Sequence, residues 1–175
     1  VIEASGGGVF VLCTSHRALQ RISERLGARM RLPMFVQGQD SREALLRSFS
    51  EHGNAVLVGT SSFWEGVDVK GRALRVVIID RLPFAAPGDP VFEARLDAIR
   101  REGGNPFNDH QIPLAVMALR QGVGRLIRDF GESGLLMLCD PRMRSKGYGG
   151  RMLASLPKMP QTDDLAAVQN WLRTL

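Results

Sequence analysis

Short, wholly apolar runs alternate along this chain with stretches in which apolar residues return every three or four positions. Apolar runs of four or five residues suit strands covered on both faces. The 3.6-residue period between them suits helices that lay one apolar stripe on a sheet. Val9-Phe10-Val11-Leu12-Cys13 is the first run, and Leu19, Ile22 and Leu26 then predict a helix over 15–27. A short strand at 33–36 follows. Asp40, with Glu43 three residues on in the manner of a capping box, opens a helix that turns Leu45, Leu46 and Phe49 inward. Strands are predicted at 55–58 and 74–79, and a turn-rich stretch at 82–90 precedes a helix near 91–101. A second loop at 103–106 leads into a long helix over 112–129, whose first turn tolerates Pro113. The last strand is expected at 135–139, with a short helix near 149–156 and a final one after an N-cap at Thr162. Strands and helices that take turns in this way define an α/β fold, a doubly wound parallel sheet with helices on both faces.

Length and composition narrow the picture. The chain has 175 residues, 44% hydrophobic and 23% charged, which excludes a collagen, a coiled coil and a disordered tail. Its longest tight apolar runs, such as Val76-Val77-Ile78-Ile79, fall far short of the ~20 residues that a membrane span needs. The sequence starts at Val1 with no basic n-region and reads as a single domain cut from a longer protein, with 1–8 as a linker. Cys13 and Cys139 both end apolar runs, which suits buried free thiols in a reducing compartment.

Charge adds a hint about partners. The formal net charge is +5, and only Lys70, Lys146 and Lys158 among the basic residues are not arginine. The planar guanidinium suits phosphate, so the balance fits a nucleic-acid or nucleotide partner; a genome that favours arginine codons gives the same count. Arg17, Arg21, Arg25 and Arg29 recur every four residues on the first helix, where a phosphate, an acidic partner or plain solvent can face them.

Candidate chemistry begins with an absence. A P-loop nucleotidase needs a glycine loop ending in Gly-Lys-Ser/Thr, and no such string occurs. After Gly59 and Gly66 come Val67-Asp68, and Gly122-Val123-Gly124 has Ile127 where a dinucleotide fingerprint needs its third glycine. The domain is therefore not a complete ATPase. Within the long helix, Gln121, Arg125 and Arg128 share one side at i, i+4 and i+7, away from Val116, Leu119, Val123, Leu126 and Ile127. An amide and two guanidinium groups so placed match the charge that develops on a triphosphate; salt-bridged surface arginines would look the same. The second candidate is Gly59-Thr60-Ser61-Ser62-Phe63-Trp64-Glu65-Gly66-Val67-Asp68, leaving the carboxyl end of a strand, where open α/β sheets bind ligands. Its hydroxyl and N–H groups suit nucleic-acid phosphates, and Glu65 and Asp68 suit a ribose or a water. Phe63 and Trp64 either stack on bases or plug the core.

These residues carry a resemblance. Gln121-Gly122-Val123-Gly124-Arg125-Leu126-Ile127-Arg128 resembles motif VI (Q-x-x-G-R-x-x-R) of superfamily 2 helicases. Gly59-Thr60-Ser61 with Trp64-Glu65-Gly66-Val67-Asp68 is similar to motif V of their Rad3/XPD-like branch, and Leu12-Cys13-Thr14-Ser15 to motif IV. Leu82-Pro83-Phe84, Pro87, Asp89-Pro90, Asp140-Pro141-Arg142, Lys146 and Tyr148-Gly149 resemble the bacterial DinG/YoaA group.

The resemblance implies the RecA-like second lobe, helicase domain 2, of an ATP-dependent DNA helicase that moves 5′→3′ on single-stranded DNA. It also implies ATP and magnesium held mainly by a first lobe in cis, and in many members a 4Fe-4S cluster in that first lobe, none of it in this chain. It makes Arg128 the arginine finger, with Arg125 and Gln121 ordering the γ-phosphate and the attacking water. It assigns Glu65, Gly66 and Asp68 to the nucleotide, and Ser15, Thr60 and Ser61 to DNA phosphates. A replication or repair protein is a further expected partner, and a membrane is not. The resemblance further implies a location in the cytoplasm of a bacterium, beside the nucleoid. The alternative reading keeps the fold and drops the catalysis: a helicase-derived docking module for a replication or repair protein, through the Arg17–Arg29 stripe, against which the retained motif VI arginines speak. A Rossmann-type small-molecule enzyme is the third reading, which the missing glycine fingerprint disfavours.

Overall fold

In the computed structural model, which describes residues 1–60, 63, 73–85, 88–124, 126 and 133–175, the apolar runs assemble into one sheet. Strands β1 (Val9–Cys13), β2 (Met34–Val36), β3 (Val56–Thr60), β4 (Val76–Ile79) and β5 (Leu135–Leu138) pair in the order β2-β3-β1-β4-β5, and every pair is parallel. The chain divides into two compact units. The first joins Val1–Arg81, Gly122–Asp140 and Met159–Leu175, and the second joins Leu82–Gln121 and Pro141–Lys158.

The sheet lies in the first unit, and β1 is its centre. Every β1 residue is buried, Val9 and Phe10 to 0% and 1% exposure, so the strand accepts only apolar side chains on either face. Val9, Val11 and Cys13 share one face with Val56, Val58 and Val76, and onto it pack α1 (His16–Gly27), through Leu19, Ile22 and Leu26, and α7 (Leu165–Leu172), through Leu172 and Val168. On the opposite face Phe10 meets Phe63 edge-on, with ring centroids 6.3 Å apart. Helix α2 (Arg42–His52) covers that side, burying Leu45 and Phe49 and bringing Arg42 to 5.9 Å from the Phe63 ring. Helices therefore flank both faces, as the alternation of patterns predicts.

The second unit carries α3 (Pro90–Arg101), α5 (Arg142–Ser145), α6 (Gly149–Ala154) and most of α4 (Ile112–Val123). Asp89 caps α3, its Oδ1 accepting from the N–H groups of Val91 and Phe92 at 2.8 and 3.1 Å, with Pro90 in the first turn. Asn105 Oδ1 likewise accepts from Phe107 and Asn108 and starts a π-helical turn, Phe107–Gln111, that runs into α4. Phe84, Phe107 and Tyr148 form a ring trio with centroids 5.3–5.7 Å apart, and Arg142 lies 5.3 Å over Phe84. A Cβ on Gly149 would fall 1.9 Å from the Met143 carbonyl oxygen, so only glycine lets α6 approach α5 this closely.

Several boundaries differ from the expected ones. The cap of α2 is Ser41, whose Oγ accepts from Ala44 N–H, while Asp40 accepts from Ser41 N–H. Asp164 caps α7, and Thr162 instead accepts from Asp164 N–H. β3 continues through Gly59 and Thr60, which pair with Leu12 and Cys13. Regular helix in α4 ends at Val123, with Gly124 in a turn; of the expected continuation to 129, residues 125 and 127–129 lie outside the described residues. Cys139 falls one residue past β5 and is exposed, not buried.

Residues 1–8 fold back against the sheet: the Ser5 hydroxyl donates to the carbonyls of Ile2 and Gly7, and Val1, Ile2 and Ala4 pack on the core. Gly6 and Gly7 both have positive φ, but a Cβ would meet open space at Gly6 and the Asn54 carbonyl oxygen at 2.0 Å at Gly7. Gly6→Ala should cost about 1 kcal/mol, the usual left-handed penalty. Gly7→Ala should cost at least twice that, because backbone must also move. Chemical denaturation of the two variants tests this, and equal losses would mean that the segment does not pack.

Candidate functional site at the carboxyl edge of the sheet

The polar residues of the first unit gather where the parallel strands end. Cys13 and Thr60 are register partners, so the end of β1 and the end of β3 emerge side by side. Ser15, two residues past β1, caps α1, and its Oγ accepts from Ala18 N–H at 3.1 Å. A hydroxyl that accepts still has its own hydrogen to donate, so Ser15 keeps a donor at this edge.

Thr60 is buried, and both its N–H and its Oγ1–H donate to Gln37 Oε1, at 2.7 and 2.9 Å. A backbone N–H can only donate, so the Gln37 atom facing it must be the carbonyl oxygen. The Gln37 amide nitrogen then keeps its two hydrogens for other acceptors. Thr60, expected to hold a phosphate itself, spends its hydroxyl hydrogen on Gln37. Sequence reasoning missed Gln37: it follows the short β2, and only the pairing of β2 with β3 brings it to Thr60.

Gly59 is the other constraint at this edge. A Cβ there would stand 3.0 Å from Phe63 Cβ, and Phe63 is buried at 4% exposure. Phe63 therefore plugs the core. Ser61, Trp64, Glu65, Gly66 and Asp68 lie outside the described residues, as do Arg125 and Arg128.

Past β4, Asp80 accepts from Thr14 N–H at 3.1 Å, and its own N–H donates to the Leu12 carbonyl. Burial holds the Asp80 carboxyl above its ordinary range, against the lowering effect of the Arg81 and Thr14 N–H groups and the Arg81 charge; the nearby Asp140 raises it further. Burial, helped by the Asp80 charge, pushes the Cys13 thiol up to about 12. Beneath this edge a cavity of about 550 Å³ opens between the sheet, α1, α7 and the N-terminal turn, with Asp80, Cys139, Arg29 and Arg173 among its lining residues.

In the second unit, Gln121 is exposed near the end of α4 and lines a groove of about 480 Å³ with Pro113, Val116, Met117 and Arg120. Among the described residues no group of three or more His, Cys, Asp or Glu side chains is placed to hold a metal ion, and no helix is long and apolar enough to cross a membrane.

A parallel sheet flanked by helices, with hydroxyl and amide groups at its carboxyl edge, defines an α/β domain of the class that binds ligands at that edge. More particularly, the chain belongs to the helicase C-terminal domain family, whose sequence profile matches residues 1–159. It is similar to the ATP-dependent DNA helicase YoaA of Escherichia coli K12, 50% identical over 98% of this chain and 27% of that protein. It is also similar to the ATP-dependent helicase DinG of Mycobacterium tuberculosis H37Rv, 39% identical over 100% of this chain and 26% of that one. A Bacillus subtilis protein named 3′-5′ exonuclease DinG is 38% identical over 85% of this chain and 16% of its own length. The chain thus spans about a quarter of the length of the two helicases. Among solved structures, an XPD helicase superposes with a TM-score of 0.63 at 24% identity, covering 86% of this chain and 28% of the other. S. tokodaii Xpd4 superposes at 0.64 with 17% identity, covering 91% and 32%. The expected RecA-like helicase fold class holds.

Asp80→Asn should stabilise the protein at neutral pH. A carboxyl whose pKa is raised on folding contributes stability that is complete below its unfolded value of ~3.9 and is lost as pH rises through the folded value. The neutral amide avoids that loss, so its advantage in thermal midpoint should shrink as pH falls towards 4. A constant difference across pH 4–8 would refute it.

Thiol labelling supplies a second check. Cys139 is exposed, although desolvation and the Asp80 charge raise its thiol as well. It should react slowly with iodoacetamide at pH 8 in the native protein, while Cys13, buried and held at about 12, stays protected. Denaturation should release the second thiol, as read by mass spectrometry.

Proposed function

We propose that this chain is the second motor lobe of an ATP-dependent DNA helicase. It binds single-stranded DNA at the carboxyl edge of its sheet and completes an ATP site whose phosphate loop and magnesium belong to a first lobe. The observation that carries the reading is the side-by-side emergence of β1 and β3, with donors remaining on Ser15 and Gln37. Membership of the helicase C-terminal family and the similarity to YoaA and DinG helicases support it.

In this reading Ser15 and the Gln37 amide donate to successive DNA phosphates, and Thr60 acts by fixing the Gln37 rotamer. Ser61 is a further phosphate contact. Glu65, Gly66 and Asp68 face the nucleotide and pass its state to the DNA-binding edge. Gln121 and Arg125 order the γ-phosphate and the attacking water, and Arg128 is the finger that stabilises charge on the transferring phosphoryl group. Translocation runs 5′→3′, in replication or repair, beside the nucleoid.

The test is made in the full-length protein. Arg128→Ala should lower DNA-stimulated ATP turnover by roughly 10³–10⁵, the range seen for arginine fingers, and leave single-stranded DNA affinity within a few-fold. Lysine should rescue poorly, because a point charge does not copy the guanidinium fork. Lost DNA binding with ATP turnover retained would overturn the assignment. Gln37→Ala should do the reverse, weakening DNA binding several-fold and costing about 1 kcal/mol of stability from the loss of the Gln37–Thr60 hydrogen bonds.

A further inference from the structure

Helix α1 leaves the carboxyl edge at its Ser15 cap and carries an arginine every fourth residue: Arg17, Arg21 and Arg25, then Arg29 in the turn that follows. All four are exposed. Locally the arrangement is unfavourable. Like charges at i,i+4 oppose a helix by about 0.2–0.5 kcal/mol per pair, and Arg17 stands in the first turn, where the helix dipole disfavours a cation. The first turn holds no acidic residue, and the lone carboxylate of α1, Glu24, makes no ion pair with any of the four arginines among the described residues.

We infer that this stripe is a track for a nucleic-acid phosphate backbone, carrying the strand on from Ser15 along the flank of the first unit. The inference rests on the DNA-binding reading above and extends it to a surface outside the carboxyl edge. Three observations favour phosphate over an acidic protein. The stripe begins two residues after Ser15, so a strand held there meets Arg17 next. From Arg17 to Arg25 it follows the axis for about 12 Å, the shape of a linear polyanion. It also contains no large exposed apolar side chain: those of the described residues, Trp171, Leu165 and Met117 among them, belong to other elements. Protein interfaces draw their affinity from a buried apolar or aromatic centre, which this surface lacks. Guanidinium groups make charge-assisted, bidentate contacts with phosphate, and such contacts need no apolar support.

The experiment measures binding of a fluorescent oligothymidylate by the full-length protein at several salt concentrations. Single-stranded contacts each contribute about 0.7 to the slope of log K against log salt. The R17Q/R21Q/R25Q/R29Q variant should therefore have a slope shallower by roughly 3, and R21Q/R25Q alone by about 1.4. Glutamine keeps helix propensity, and a thermal melt checks the fold. The same four positions changed to lysine should keep the slope. Changing Arg47, Arg95, Arg100 and Arg101 to Gln removes the same charge elsewhere and should leave it unchanged.

An unchanged slope in the stripe variants overturns the track while the DNA-binding edge stands. An equal loss in the control quartet also overturns it, as an effect of net charge. An unchanged slope together with lost binding of an oligoglutamate probe overturns it in favour of an acidic protein. Failure of the unmodified protein to bind the oligonucleotide overturns the DNA-binding reading and the track with it.

Discussion

The parallel pairing of β1 with β3 on one side and β4 on the other is the interaction on which the rest of the first unit depends. A strand in that position has no face and no edge open to water, so each of its peptide groups must bond to a neighbouring strand and each side chain must be apolar. Val9 to Cys13 meet both demands. Once that register is set, the ends of three strands are set with it. Thr14 and Ser15, Thr60, and Asp80 arrive at one edge because their strands run in the same direction and in step. Antiparallel pairing would have scattered them to opposite ends. The sheet's all-parallel order is thus the physical reason for a polar edge at all.

Most of the sheet was legible because its signal is two-sided burial, which leaves little choice of residue. All five strands and the flanking helices fall where the apolar runs and the 3.6 period put them. What was less legible depends on alternatives separated by fractions of a kcal/mol. Asp40 and Ser41 are both good N-caps, and pattern alone cannot rank neighbours; Ser41 caps α2 while Asp40 bonds Ser41 N–H. The same ambiguity recurs with Thr162 and Asp164. β3 reads as ending at Val58 because Gly59 looks like loop, but Gly59 stays in the strand to make room for Phe63. Gly124 likewise ends α4 where periodicity alone would continue it. The π-helical turn at Phe107–Gln111 has no sequence period of its own, and the exposure of Cys139 follows from one residue of overshoot past β5.

Of the candidate site, residue names were legible but hydrogen-bond roles were not, for a related reason. Motif spacing picks out candidate residues such as Ser15 and Thr60 but not which hydrogen each one has left to give. Ser15 and Thr60 carry the same functional group, yet one accepts from a helix N–H and the other donates to Gln37. That difference decides which of them can still donate to a phosphate. It comes from tertiary pairing between β2 and β3, and Gln37, lying outside every motif string, enters the site only through that pairing.

Local preference and global fold agree nearly everywhere in this chain, so the exceptions are informative. Asp80 is kept as a half-buried acid beside Asp140 although burial raises its pKa. It ties the first residue after β1 to the end of β4 through Thr14 N–H, and a carboxylate accepts that bond more strongly than an amide would. Stability is given up at neutral pH to hold the exit of β1 in place. The arginine stripe on α1 is an exception of the same kind, since like charges in series oppose the helix that carries them. Both exceptions flank the same short stretch, Thr14 to Arg17, where β1 becomes α1. A fold under selection for stability alone would relax each with one substitution, an amide at Asp80 and a glutamate four residues before an arginine. Their joint placement at the exit of the best-buried strand fits the DNA-binding edge proposed above, with a rigid cap below and unneutralised positive charge leading away from it.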